Sequence, residues 1–451
     1  MYIPNNIDLD PHSALVRQLT SYQVRFLQWW RLRGPSEFHD REMNLRMPTG
    51  GVKGSEWTRY HRMRPSDYRW GVFMMPPDRN TVVFGERKGQ VAWTCVPEEY
   101  RDLLLDHVTV QGDVENAAVE QSHELTQMVP SAIDLEHLFQ FFLEEGRHTW
   151  AMSHLLIEYF GSDGADAAEG LLQRMSGDAQ NPRLLDAFNY HTEDWLSHFM
   201  WCFFADRVGK YQIQAVTQSA FLPLARTARF MMFEEPLHIK FGMDGLERVL
   251  YRSAEITLRE DTHAIFDAGA IPLPVFQKYL NYWLPKIFDL FGHDISERSR
   301  VLYQAGIRSP RNFDKLEGTE VAVDVRCEDR LVSSTAPAEL AINAVMRRQY
   351  IAEVGAIIGR WNQQLRRLGL AFELQLPHER FHRDFGPCKG LAFDLDGNPV
   401  HDAAGQRLAA LLPTSQDLAG VRGLMGRELG EGRTAAWLAP AGASLDKLMP
   451  A

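Results

Sequence analysis

Two Glu-x-x-His motifs, Glu145–His148 and Glu235–His238, lie 90 positions apart in stretches whose apolar residues recur at helical spacing. Residues three apart share one helical face, so each motif aims a carboxylate and an imidazole the same way. The motif alone says little. The chain contains five, the others being Glu120–His123, Glu260–His263 and Glu379–His382, where chance predicts roughly one. Hairpin geometry sorts them, because antiparallel helices joined by a short turn bring residues equidistant from the turn to one height. A turn at Pro130 sets Glu115 level with Glu145, and a turn near Ser219 to Leu222 sets Asp206 level with Glu235. Two hairpins thus each offer one carboxylate facing one Glu-x-x-His, in the order Glu115, Glu145/His148, Asp206, Glu235/His238. Glu120–His123 falls roughly 7–12 Å along the helix from that level and reads as a solvated helix-end pair. The last two motifs have no facing carboxylate and read as surface or local hydrogen-bonding pairs.

An isolated Glu/His pair on a helix is most often an exposed face. Here the neighbours are apolar: Leu138, Phe139, Phe141, Phe142 and Trp150 on one segment, Phe199, Trp201, Phe203 and Phe204 on another. Unpaired polar groups buried in such a lining are costly, and two bound cations remove the cost. Four carboxylates and two imidazoles projecting into a helical bundle are the ligand set of ferritin-like di-metal centres. Carboxylate and imidazole suit iron or manganese better than thiolate-seeking metals. Two iron ions sharing carboxylates would favour O2 activation, though storage or a manganese centre stays open. Glu144 and Glu234 compete with their neighbours Glu145 and Glu235, and Glu193 and Asp194 compete less well with Asp206. Pro236, inside the second motif, costs on the order of 3 kcal/mol in a regular helix, which predicts a kink or a π-bulge there.

The rest of the chain supports a mainly α fold: a ferritin-like four-helix bundle core with extra helices and a small mixed α/β C-terminal extension. Helical periodicity covers Leu15 to Gly34, Pro97 to about Gln127, Asp134 to Phe160, about Arg183 to Gln218 (interrupted near His191), and about Leu222 to Thr257. Further helices are predicted near 273–291 and 337–367. Thr81 to Val96 reads as a short hairpin or extended lid, and strand-like pieces fall at Phe372 and around the Asp396-Gly397 turn. This divides the chain into 1–96, an N-terminal helix and extended segment; 97–310, the di-iron helical core; and 311–451, a helix with short strands.

A net charge of −11 argues against a nucleic-acid binder. Cys95, Cys202, Cys327 and Cys388 stand far apart with no CxxC, against a zinc ribbon, an iron–sulfur cluster or a disulfide scaffold. The first ten residues lack a basic and apolar leader, and charges interrupt every apolar stretch well before about 18 residues. A cytoplasmic protein without a membrane span is the expectation.

Longer segments carry a resemblance. DYRWGVF (Asp67 to Phe73), FGERKGQ (Phe84 to Gln90), QGDVENAAVEQ (Gln111 to Gln121), EEGRHTWAM (Glu144 to Met152), NPRLLDAFN (Asn181 to Asn189), DRVGKYQ (Asp206 to Gln212), PLARTARFM (Pro223 to Met231), LQLPHERFHR (Leu374 to Arg383) and LMGR (Leu424 to Arg427) resemble the oxygenase components of benzoyl-CoA 2,3-epoxidases, a ferritin-like di-iron family. The resemblance implies metal ligands at Glu115, Glu145, His148, Asp206, Glu235 and His238, and a mobile glutamine at Gln111. It also implies O2 as co-substrate, an aromatic acyl-CoA substrate, and electrons from a separate NADPH-dependent flavin and iron–sulfur reductase. The absence of Gly-x-Gly-x-x-Gly and of clustered cysteines agrees with an external electron source. The rival readings are a di-iron N-oxygenase or hydroxylase of another aryl substrate, and a non-catalytic metal-binding helical protein. A ribonucleotide reductase radical subunit is disfavoured by Met152, where a tyrosine is expected four residues after His148. The sequence leaves the oligomeric state open.

Overall fold

The structure is a computed structural model that describes residues 9–10, 12–34, 43–44, 62–63, 71–259, 265–400, 405–426 and 433–448. The Glu260–His263 motif lies outside the described residues. Helix α1 (Ala14–Arg33) is capped by the Ser13 hydroxyl, and the two-residue strands β1 (Met43–Asn44) and β2 (Arg62–Met63) pair antiparallel. Then come α2 (Arg101–Ser122), α3 (Ala132–Tyr159) and α4 (Gly161–Gln173). The turn between α2 and α3 is a short 3-10 stretch closed at Val129-Pro130. There the Ser131 side chain accepts from the Asp134 backbone N–H and starts α3. α3 buries every residue from Leu138 to Ile157, so it is the central helix of the molecule.

The second hairpin contains α5 (Trp195–Met200), a π-helical turn at Trp201–Ala205, α6 (Asp206–Val216), α7 (Leu222–Met231) and α8 (Glu235–Arg259). α2 packs on α3, and α8 packs on α5, the π turn and α6. The latter approach is close: a Cβ at Gly242 of α8 would lie 2.4 Å from the backbone nitrogen of Phe203, and one at Gly245 2.3 Å from the Phe199 ring. Beyond this core lie α9 (Leu273–Asp289), α10 (Glu297–Gln304), the antiparallel hairpin β3 (Glu320–Cys327) and β4 (Arg330–Pro337), α11 (Ile342–Arg367), α12 (Gly405–Ala409) and α13 (Ser415–Met425). The architecture is mainly α, a helical core of the ferritin-like kind with a small strand-bearing extension. No helix among the described residues is long and apolar enough to cross a membrane.

Four expectations are corrected in detail. Residues 183–194, predicted as the start of a long helix, are a loop with one 3-10 turn (Asp186–Asn189), because Asn189 takes the backbone N–H groups of Gly177 and Arg183 on its side-chain oxygen. The helix expected from Leu222 to Thr257 breaks at 232–234. Pro236 therefore sits in the first turn of α8, where the N–H it lacks would have no helical partner anyway. The π turn occurs on the neighbouring helix, ahead of Asp206. The tail strands are also misplaced. The hairpin is β3–β4, whose alternating Val321, Val323 and Val325 was the readable signal, while Phe372 lies in non-strand chain and Phe393 makes a single bridge to Pro399.

Candidate metal centre

Both hairpins converge on one buried cluster. Ligand atoms of Glu115, Glu145, His148 and Glu235 all lie within 4.8 Å of one another. Glu115 comes from α2, Glu145 and His148 from α3, and Glu235 from the first turn of α8. His238 joins them through Nδ1, 3.0 Å from Glu145 Oε1. Asp206 lines the same cavity as Glu115, Glu145 and Glu235. All six are buried.

The fit of this donor set to cations can be tested atom by atom. His238 Nδ1 is close to Glu145 but misaligned for a hydrogen bond, and it has no hydrogen-bond partner. Asp206 Oδ2 is likewise buried and unpartnered. Two buried donor atoms left unbonded beside these carboxylates are suited to bind a third body, since a buried polar atom is otherwise nearly always bonded. The residues fit a metal site.

The electrostatics agree. Burial pushes the Glu145 carboxyl well above the usual range, with Glu115 beside it adding to the rise. Burial raises Asp206 strongly, against the opposing pull of His238. Glu235 is pushed up to about 7, chiefly by burial, with His238 and His148 pulling the other way. For Glu115 burial also acts upward, but hydrogen bonding and charge from His148 prevail and hold it low. His238 is raised to about 9: burial disfavours its charge, and Glu144 and the other carboxylates outweigh that. Protons are thus retained to offset crowded carboxylates, a role bound cations take over.

Glu144 and Glu234, the rivals for the ligand positions, turn to the far side of the imidazoles. Glu144 Oε2 accepts from His238 Nε2 at 2.8 Å, and Glu234 Oε2 stands 3.1 Å from His148 Nε2. The pairing is crossed, each acid holding the histidine of the other hairpin. Arg147 bridges the two acids, 2.5 Å from Glu234 and 3.5 Å from Glu144. Both histidines therefore face the cluster with Nδ1, because Nε2 is committed to a carboxylate. Doubled acids in Glu144-Glu145 and Glu234-Glu235 were visible in the sequence, but the division of labour was not.

Gln111 is one helical turn from Glu115 and donates from Nε2 to its Oε1 at 2.5 Å. Asp194 instead caps α5 and receives the Tyr279 hydroxyl. Glu193 pairs with Arg422. Glu120 does not reach the cluster, as expected, yet it is not solvated. It is buried against Arg183, the Trp29 indole and Ser176, because α1 and the loop after α4 cover that end of α2. Glu379 holds Arg347 at 2.7 Å.

A cavity of about 370 Å³ opens from the cluster, with apolar walls that include Val114, Phe188, Val208, Ile213 and Leu290. Its lining also carries His107, Arg298 and Arg308, which nothing in the local sequence had singled out.

Fold and site together define a helix-bundle protein with a buried carboxylate–imidazole centre suited to metal. No family model matches the chain. The chain is 39% identical over 448 residues to benzoyl-CoA oxygenase component B of Aromatoleum evansii, covering 97% of this chain and 94% of that protein. At that identity and coverage, it belongs to the benzoyl-CoA oxygenase component B family.

Proposed function

We propose that this chain is the oxygen-activating component of a di-iron monooxygenase that epoxidises the ring of an aromatic acyl-CoA, benzoyl-CoA to its 2,3-epoxide. The observation that carries the reading is a buried set of six carboxylate and imidazole donors, whose four carboxylates line an apolar-walled cavity. The name of the relative supports the substrate. Glu115, Glu145, His148, Asp206, Glu235 and His238 would hold two iron ions, which would pass the electrons received from a reductase on to O2. Glu144 and Glu234 keep each imidazole in the tautomer that presents a lone pair at Nδ1. Gln111 caps the free side of Glu115 and, by releasing that bond, gates the cavity side of the centre. The Val114, Phe188 and Ile213 walls exclude water from the place where the arene lies. Electrons come from a separate NADPH-dependent flavin and iron–sulfur reductase.

The test is incubation of the iron-loaded, chemically reduced protein with benzoyl-CoA and 18O2. The expected product carries one labelled oxygen atom on the ring, seen by mass spectrometry. Unlabelled benzoyl-CoA, from protein verified to contain iron, would overturn the proposal.

A further inference from the structure

Arg308 is a buried cation with no counter-charge among the described residues. Its side chain is only 7% exposed. Its terminal nitrogens donate to neutral groups: Gln212 Oε1 at 2.6 Å and Asn343 Oδ1 at 3.2 Å, with longer approaches to Ser299 Oγ and Met346 Sδ. Its Nε has no hydrogen-bond partner. No described carboxylate forms an ion pair with it. Burial and the neighbouring charge of Arg298 lower its pKa to about 10. A guanidinium is costly to bury unless an acceptor compensates it.

Its position shows where such an acceptor would come from. Arg308 lines the cavity that ends at the carboxylate cluster. It is tied to Gln212, six residues along α6 from Asp206, so it sits roughly 9 Å along that helix from the cluster. The loop that carries it is rigid: Gly306 O accepts from Ala220 N at 2.7 Å, and Ser309 N donates to Ala215 O at 2.8 Å. Gly306 has φ +80, and a Cβ there would meet Val82 Cγ1 at 2.5 Å. Arg298, the other arginine lining the cavity, already pairs with Asp106 at 2.9 Å, and on α7 Arg226 donates to Met75 O and Arg229 to Pro76 O.

Building on the acyl-CoA reading above, we propose that Arg308 is the specificity-determining anchor for the acyl oxygen of the substrate. Its guanidinium donates to the thioester carbonyl while the attached ring fills the apolar end beside the carboxylate cluster. A carbonyl conjugated to an aromatic ring spans that interval, and a ligand without an acyl oxygen leaves the cation uncompensated.

Equilibrium binding to the iron-loaded full chain tests this with four probes: benzoyl-CoA, its thioether analogue S-benzyl-CoA, CoA alone and benzoate. Arg308→Gln is expected to weaken benzoyl-CoA by about ten- to hundredfold, the size of one charge-assisted hydrogen bond, and to leave S-benzyl-CoA and CoA unchanged. Arg308→Lys, which keeps the charge and much of the volume, is expected to fall between and guards against misfolding of the glutamine variant. Equal losses on all CoA ligands would reassign Arg308 to a phosphate or to architecture and overturn the inference, as would no loss on benzoyl-CoA. Arg308-dependent binding of benzoate, with benzoyl-CoA indifferent to the substitution, would overturn the thioester assignment. A wild-type protein that binds no CoA ligand would instead strike the acyl-CoA reading itself, a distinguishable failure.

Discussion

At the scale of single residues, the cluster depends on groups behind the ligands. Glu144→Gln or Glu234→Gln removes the anionic acceptor of one imidazole Nε2 while keeping shape. Metal retention after dialysis against a chelator is expected to fall about ten- to hundredfold. Arg147→Met leaves two buried carboxylates without their shared cation, and chemical denaturation is expected to register a loss of about 3–5 kcal/mol. Two buried histidines outside the proposed ligand set work against stability in acid. His107 and His198 are lowered to about 3, in both cases chiefly by burial. Above the unfolded value near 6.5 they are neutral in both states and cost nothing. Below it the unfolded chain binds protons that the folded chain refuses, so stability is lost from pH 6.5 down towards pH 3. Between pH 7 and pH 5 the parent is accordingly expected to lose more melting temperature, or gain less, than His198→Gln, whatever the substitution does to the plateau.

At the scale of elements, the site is made by two departures from regular helix. The π turn at Trp201–Ala205 sets the angle at which Asp206 leaves its helix. The break at 232–234 lets α8 begin at Glu235. Because Pro236 sits in a first turn, Pro236→Ala is expected to change stability by less than about 1 kcal/mol, whereas a proline inside a continuous helix would be relieved by about 3 kcal/mol. The contact between α8 and the π turn has no room for a methyl group. Gly242→Ala is expected to cost about 1–3 kcal/mol in urea unfolding and to lower metal content, since it pushes Glu235 and His238 away from Asp206.

Across the whole molecule, one large buried apolar cluster among the described residues joins Leu19 and Trp29 in α1 to Phe142, Trp201, Trp361 in α11 and Trp437 near the C-terminus, while Val323 and Ala336 of the β3–β4 hairpin form a small cluster of their own. Polar ties cross the same boundaries: Arg248 of α8 clasps Asp134 of α3 and the carbonyl of Ala439, and Trp29 reaches Glu120. We propose that the segments 1–96, 97–310 and 311–451 fold as one cooperative unit around the bundle. Calorimetry of the full chain is expected to show a single transition, and a 97–310 fragment is expected not to hold its native helicity.

The long helices and the positions of the cluster residues were legible from periodicity and equidistance, because both depend only on the 1.5 Å rise per residue and short turns. Glu115 and Glu145, fifteen residues either side of Pro130, needed nothing more. The β3–β4 hairpin was legible too and was missed in favour of weaker alternation further along. Other features lay beyond any local signal. The spacing picks Glu145 for the cluster, but nothing in Glu144-Glu145 says that the other acid holds His238, since that follows from the rotation of α3 against α8. Nothing near Arg308 says that it is buried without a carboxylate. Burial and charge compensation are properties of the surroundings, supplied here by Gln212, Asn343 and Met346 from distant parts of the chain. The sequence by itself determined a helical chain with two carboxylate–imidazole hairpins. The tertiary structure alone decided which donors face inward and where a buried cation faces them.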